Sequence, residues 1–196
     1  MQKKKCPKQT TSLATRSKVT EMHIKSLIRT IPHYPKQGIM FRDITTLLKD
    51  PIGLRMLVDG LAQHYAHQKI DKIAGIEARG FIIGAALAYK LGVGFVPIRK
   101  AGKLPSETVE QAYGLEYGVD CVEIHTDAIN QGEQILLVDD LIATGGTAEA
   151  AVALIQKLGG NIVECAFVID LPDLGGTNRL NNLGLKCYAL CAFEGD

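Results

Sequence analysis

The chain has 196 residues, 46% of them hydrophobic and 22% charged. That is the balance of one globular domain, and it excludes a collagen-like, coiled-coil or wholly disordered chain. The most apolar stretch, 81–98, is broken by Lys90 and several glycines and falls short of the twenty or so residues of a membrane span. The net charge of +1 hides an asymmetry: residues 1–20 carry Lys3, Lys4, Lys5, Lys8, Arg16 and Lys18 and no acid, +6 in all, which leaves −5 on the remainder. A mildly acidic body argues against broad nucleic-acid binding.

In chain order, residues 1–20 are expected to form a disordered basic tail. Their acid-free composition resembles a transit peptide, but Cys6-Pro7 and the few apolar residues make a poor amphipathic helix, and Met22 offers an alternative start. Residues 21–196 read as a single domain. Met22, Ile24, Leu27, Ile28 and Ile31 predict a short helix over about 20–31, ended by Pro32, Pro35 and Gly38. Asp50-Pro51 predicts a helix start, with Leu54, Leu57, Val58, Leu61 and Tyr65 as its buried stripe. Lys72–Ile76 reads as a strand, Glu77–Gly80 as a turn, and the next residues as an apolar helix to about Lys90. Phe95–Ile98 is another strand.

Residues 99–114 break this pattern with Gly102, Pro105 and Gly114 and a basic start. Alternation resumes at Val119–Ile124, so an antiparallel excursion or a mobile flap is expected over about 99–125. Gln134–Asp139 is a buried strand, Thr147–Leu158 a helix closed by Gly159-Gly160, and Ile162–Ile169 a strand. A helical piece near Thr177–Asn181 and a strand at Lys186–Leu190 complete the chain. Strand and helix in alternation, with uniformly apolar strands, predict an α/β fold: an open parallel sheet with flanking helices.

The five cysteines, Cys6, Cys121, Cys165, Cys187 and Cys191, form no C-x-x-C pair. Free thiols in a reducing, cytoplasmic setting fit their odd number and wide spacing. His64 and His67 share a helix but have no third ligand in view, so a solvated face is the simpler reading.

In open α/β sheets, ligands sit beyond the carboxyl ends of the strands. Three such ends carry unusual residues. After the apolar run to Val138 come Asp139, Asp140, Leu141, Ile142, Ala143, Thr144, Gly145, Gly146 and Thr147. Glycines, hydroxyls and a helix N-terminus make a pocket for one phosphate. Paired carboxylates beside it suit a sugar diol or a hydrated divalent cation. Together they describe a ribose 5-phosphate site. No G-x-x-x-x-G-K-[ST] is present, which excludes a nucleoside triphosphate loop, and Gly92-Val93-Gly94 lacks the third glycine of a dinucleotide fingerprint.

Val138–Thr147 resembles the phosphoribosyl-diphosphate signature of the type I phosphoribosyltransferases. Residues 35–44 resemble the purine-side hood of the members that act on adenine, placed at about 21–45. Residues 77–81 resemble their diphosphate loop, and residues 99–105 and 115–118 their flap and the segment after it. The likeness runs in order from about residue 22 to the end. Gln37, Gly114 and the basic tail depart from the family pattern.

The resemblance implies transfer of a phosphoribosyl group from 5-phosphoribosyl 1-diphosphate to adenine, giving AMP and diphosphate in purine salvage, with Mg²⁺ held mainly by substrate and water. It implies a homodimer, with no nucleic-acid or membrane partner. Asp139, Asp140 and Ala143–Thr147 would hold the ribose 5-phosphate. Glu77, Ala78, Arg79, Arg99, Lys100 and Lys103 would form the diphosphate site, although Arg99, Lys100 and Lys103 also read as a solvated loop. Met40 and Arg42 would read adenine through their backbone, with Phe41 stacked on the purine or else packed in the core. Glu116 would accept the purine proton and Arg79 would assist the leaving group, although Glu116 also reads as an exposed acid on an edge strand. A 6-oxopurine or pyrimidine substrate, and a non-catalytic sensor of phosphoribosyl diphosphate, are the alternatives. The stretch Phe167–Leu171 offers no cation for a 6-oxo group.

Overall fold

The computed structural model describes residues 21–115 and 118–195. The tail 1–20 and Glu116, Tyr117 and Asp196 lie outside the described residues. Residues 21–27 are helical (α1). They lead into a hairpin of β1, Arg29–Pro32, and β2, Met40–Asp43. The helix expected to reach residue 31 therefore ends early. Thr46 Oγ1 donates to the Leu27 carbonyl at 2.7 Å and accepts from Arg29 N at 3.1 Å, which turns the chain out of the helix. Thr46 belongs to a short helix that local periodicity does not announce, α2 (Thr45–Lys49).

Asp50 caps the next helix, α3 (Pro51–Tyr65), as its sequence predicts. Its carboxylate accepts from Ile52 N at 2.9 Å and Gly53 N at 2.7 Å, and Pro51 occupies the first turn. The remaining elements are β3 (Lys72–Ile76), α4 (Arg79–Leu91), β4 (Gly94–Lys100), β5 (Thr108–Leu115), β6 (Gly118–His125), β7 (Gln134–Ile142), α5 (Gly146–Lys157), β8 (Asn161–Asp170), a 3-10 turn at Pro172–Leu174, α6 (Gly176–Asn182) and β9 (Cys187–Ala192).

The seven-stranded sheet has the order β5-β6-β4-β3-β7-β8-β9. Strands β4, β3, β7, β8 and β9 are mutually parallel, while β6 joins β4 and β5 antiparallel. The expected antiparallel excursion is thus a hairpin at one edge of a parallel sheet. Ile135, Leu136, Leu137 and Val138 of β7 are all fully buried because both faces of the sheet are covered. On one face α3 and α4 enclose Leu57, Leu61, Ile83 and Leu87. On the other α5 encloses Ala151, Leu154 and Ile155. Strand β7 runs three residues beyond the expected end, so Asp140 stands within it rather than after it. No helix among the described residues is long and apolar enough to cross a membrane.

Candidate active site

The carboxyl ends of β3, β4, β7 and β8 point the same way, and a cleft of about 350 Å³ opens there. Its lining brings together Met40, Phe41 and Arg42 of β2, Arg79 of α4, Asp139 and Asp140 of β7, and Ala143, Gly145 and Thr147 of the following turn. Those segments lie about a hundred residues apart in sequence. Ile39, Leu141, Ile142, Ala148, Leu171 and Leu174 complete the walls. Leu171 and Leu174 are additions that residue chemistry alone does not mark. Their signal is position: an apolar pair just past the end of a buried strand.

Gly145 sits at φ +79°, a backbone that an L side chain rarely adopts, and it starts α5 with its N–H groups directed outward. Behind this turn, Gly176 N donates to the Ala143 carbonyl at 2.9 Å, so the start of α6 buttresses it. Thr144 is exposed, whereas Gly146 is buried beneath the turn toward Tyr113 and Gly114 of β5. Neither lines the cleft directly.

The two carboxylates differ. Asp140 is buried and accepts a hydrogen bond from Arg79 Nε. Asp139 accepts from Asp140 N at 2.8 Å. Desolvation, and then the adjacent Asp140 charge, pushes Asp139 well above the usual carboxylate range. The pair consequently repels a neighbouring phosphate less than two free carboxylates would. Gly80, in the first turn of α4, lets the helix approach this strand closely. A Cβ there would lie 2.8 Å from the Val138 carbonyl oxygen and 3.0 Å from Asp139 Oδ1.

The basic residues form a second group beside the cleft, continuous with Arg79 through the Glu77–Ala78 peptide, which is cis. Glu77 Oε1 accepts from Lys103 Nζ at 2.8 Å; its Oε2 accepts from Arg99 Nε at 3.1 Å and Lys100 N at 3.2 Å. The Lys103 hydrogen bond, with Arg99 and Lys100 adding to it, outweighs burial and holds the Glu77 carboxyl down at about 2. Lys100 Nζ meets Asp120 at 3.0 Å. Asp120 also accepts from Tyr113 OH at 3.1 Å. Arg79, Arg99, Lys100 and Lys103 thus each face a carboxylate of the chain itself. Asp120 and Glu123, which is buried in β6, are absent from the set of residues expected at the site. Their signal is an acid inside an otherwise apolar strand.

Strand β1 pairs along one edge of β2, and no strand among the described residues lies along the other edge, on the strand that lines the cleft. Arg42 is drawn back from it: Nη1 donates to Thr30 Oγ1 at 2.7 Å, and its guanidinium lies 4.3 Å from the Phe193 ring centroid. Phe41 meets Tyr34 edge-on at 5.3 Å. Ala78 is exposed beside Arg79. Glu116, the expected proton acceptor, lies outside the described residues between β5 and β6.

The phosphoribosyl transferase domain family matches residues 44–179. Over 175 residues the chain is 67% identical to an adenine phosphoribosyltransferase from Nitrosospira multiformis, covering 89% of this chain and all of that one. The crystal structure of adenine phosphoribosyltransferase from Thermoanaerobacter pseudethanolicus superposes with a TM-score of 0.84 at 48% identity, covering 88% of this chain and 99% of that one. The Saccharomyces cerevisiae enzyme, solved with an imino-altritol bisphosphate and adenine, gives 0.83 at 40% identity, with 88% and 99% covered. The chain belongs to the type I phosphoribosyltransferases and, within them, to the adenine phosphoribosyltransferases.

Proposed function

We propose that the protein joins adenine to 5-phosphoribosyl 1-diphosphate, releasing AMP and diphosphate, as its place in the family implies. The observation that carries this reading is convergence on one cleft. A strand edge suited to a purine's polar rim and a glycine turn suited to a phosphate face each other across Asp139 and Asp140. The sugar fits between them, its diol toward the carboxylates and its 5-phosphate on the N-terminus of α5. Met40 and Arg42 read the base with backbone N–H and C=O groups. Arg42 supports this role, because its charged end is engaged behind the strand. Phe41 stacks on the purine.

The anomeric carbon becomes cationic as diphosphate departs, so the chain must stabilise the leaving group and accept a proton from the base. Arg79, Arg99, Lys100 and Lys103 do the first. Their present partners, Asp140, Glu77 and Asp120, keep them ordered until the diphosphate competes for them. Glu116 does the second.

Among the described residues no group of three or more His, Cys, Asp or Glu side chains is placed to hold a metal ion. The carboxylates in the cleft are a partly buried Asp139 and an Asp140 engaged by Arg79. With Asp139 held toward its protonated form and Asp140 engaged by Arg79, Mg²⁺ would be held mainly by substrate oxygens and water. The ion supplies charge neutralisation on the diphosphate.

The residues 99–125 serve as the flap over the cleft. A cytoplasmic setting is supported by Cys165 and Cys191, packed as buried thiols. A homodimer is supported by α4, which leaves Ile82 and Tyr89 exposed on its outer face. A monomeric mass by light scattering would remove the dimer. The reaction itself is tested by product analysis: adenine and 5-phosphoribosyl 1-diphosphate should yield AMP and diphosphate in equal amounts. Hydrolysis of the diphosphate with adenine left intact would refute it.

A further inference from the structure

The turn between β4 and β5 presents Lys103, yet residues 101–107 belong to no helix or strand. What holds the turn is a carboxylate from the neighbouring strand. Glu123 lies in β6 between Val122 and Ile124 and is only 2% exposed. Its Oε1 accepts both Lys103 N and Leu104 N at 2.7 Å, and Thr108 Oγ1 stands 3.4 Å from Oε2. Burying a carboxylate is costly unless its oxygens are satisfied. Here burial works to raise the acid, but the backbone N–H groups of Leu104, Gly102 and Lys103 outweigh it and hold it below its ordinary value.

We propose that Glu123 is a positioning residue of the diphosphate site: it fixes the 101–104 turn so that Lys103 and Arg99 arrive together beside the cleft. The inference rests on the reading that these two cations bind diphosphate. The contacts form a closed set. With Lys103 N held by Glu123, the Lys103 carbonyl accepts from Arg99 Nη1 at 3.2 Å. The Lys103 ammonium and Arg99 Nε both meet Glu77. Lys103 is therefore held at three points: its N–H, its C=O and its Nζ.

The two glutamates have different tasks. Glu77 holds side-chain cations, and an incoming diphosphate takes them from it. Glu123 is itself buried and holds backbone N–H groups that are already satisfied, so they stay with it when the side chains change partner. The turn is accordingly set before substrate arrives and stays set after the side chains change partner. Such preorganisation lowers the cost of binding.

Steady-state kinetics and calorimetric titration with inorganic diphosphate, on the full chain, test this with Glu123→Ala, Glu123→Gln and Lys103→Ala. Glu123→Ala removes the acceptor that the Lys103 and Leu104 N–H groups share and so releases the turn, and KM for 5-phosphoribosyl 1-diphosphate and Kd for diphosphate should each rise about tenfold or more. KM for adenine should stay within about twofold. Glu123→Gln keeps one oxygen acceptor and should fall between, at about threefold. A merely structural role would lower the melting temperature and leave the ratio of the two KM values unchanged. That result in a folded Glu123→Ala protein overturns the inference. If the alanine variant does not fold, an unchanged ratio in Glu123→Gln overturns it instead. Lys103→Ala separates the two layers. If it leaves diphosphate binding intact, the diphosphate assignment has failed. If it weakens binding while Glu123→Ala does not, only the positioning role has failed.

Discussion

Arg79 and Asp140 tie the two halves of the cleft together. The guanidinium opens α4 just past the end of β3, the carboxylate lies two residues before the end of β7, and the hydrogen bond between them spans 61 residues of sequence. Removing one member leaves the other without its partner, and Asp140 is the buried one. Asp140→Ala should weaken 5-phosphoribosyl 1-diphosphate binding by about tenfold or more, the scale of a lost charge-assisted hydrogen bond. Adenine affinity should change by less than about twofold, since the proposed reading assigns Asp140 to the sugar. Separate titrations of the two ligands check this, and an equal loss of both would contradict it.

In the proposed reaction Glu116 acts on the other substrate. If it accepts the purine proton in the transition state, Glu116→Gln should lower kcat by about 10²–10⁴ with a much smaller change in KM. Normal single-turnover chemistry in that variant would assign the proton to water or to a backbone carbonyl. At this scale the sequence was informative wherever chemistry is local. Two acids at the end of an apolar run, followed by Thr-Gly-Gly-Thr, announce their site without tertiary knowledge. The counter-ions were not legible. Glu77 meets Lys103 across 26 residues and Arg99 across 22, and only the pairing of β3, β4 and β6 brings them together.

Among the elements, α4 sits close against β7. Its first turn crosses β7 where Gly80 leaves no room for a methyl group against Val138 and Asp139. Gly80→Ala should destabilise the protein by about 1–3 kcal/mol, the usual cost of overpacking, in spite of alanine's better helix propensity. It should also raise KM for 5-phosphoribosyl 1-diphosphate, because the displaced element carries Arg79. Denaturant melts and kinetics on one preparation test both effects. A stabilised variant would show that α4 has slack against the strand. Element boundaries were read well where a cap or breaker lies in the same segment, as at Asp50-Pro51. Strand β1 looks like the continuation of a helix up to Ile31 because the stop signal, Thr46, comes from a helix fifteen residues further on.

For the molecule as a whole, acid is the informative perturbation. Asp43 beside Arg29, Glu77 beside Lys103 and Arg99, and Glu133 beside Lys72 are each held down at about 2. The unfolded chain binds those protons near the ordinary carboxylate value of about 4. The stabilisation is therefore fully present above about pH 5 and is lost as pH falls from about 4 through about 2. Unfolding free energy should be level near neutrality and fall steeply in that window. Asp43→Asn should be less stable at pH 7 and should lose less on acidification. Parallel pH curves for the two proteins would show that the Arg29 contact contributes nothing.

The most direct test of the whole account presents adenine, hypoxanthine, guanine and orotate side by side to the enzyme with 5-phosphoribosyl 1-diphosphate and Mg²⁺. The strand edge at Met40–Arg42 is suited to an amino group and a ring nitrogen, and a site built to pair with such groups rejects bases that leave its polar atoms unmatched. The account predicts AMP from adenine with kcat/KM at least about a hundredfold above the other three bases, the discrimination expected from such unmatched polar groups. Comparable turnover of a 6-oxopurine or of orotate, or binding of 5-phosphoribosyl 1-diphosphate with no turnover of any base, would contradict it.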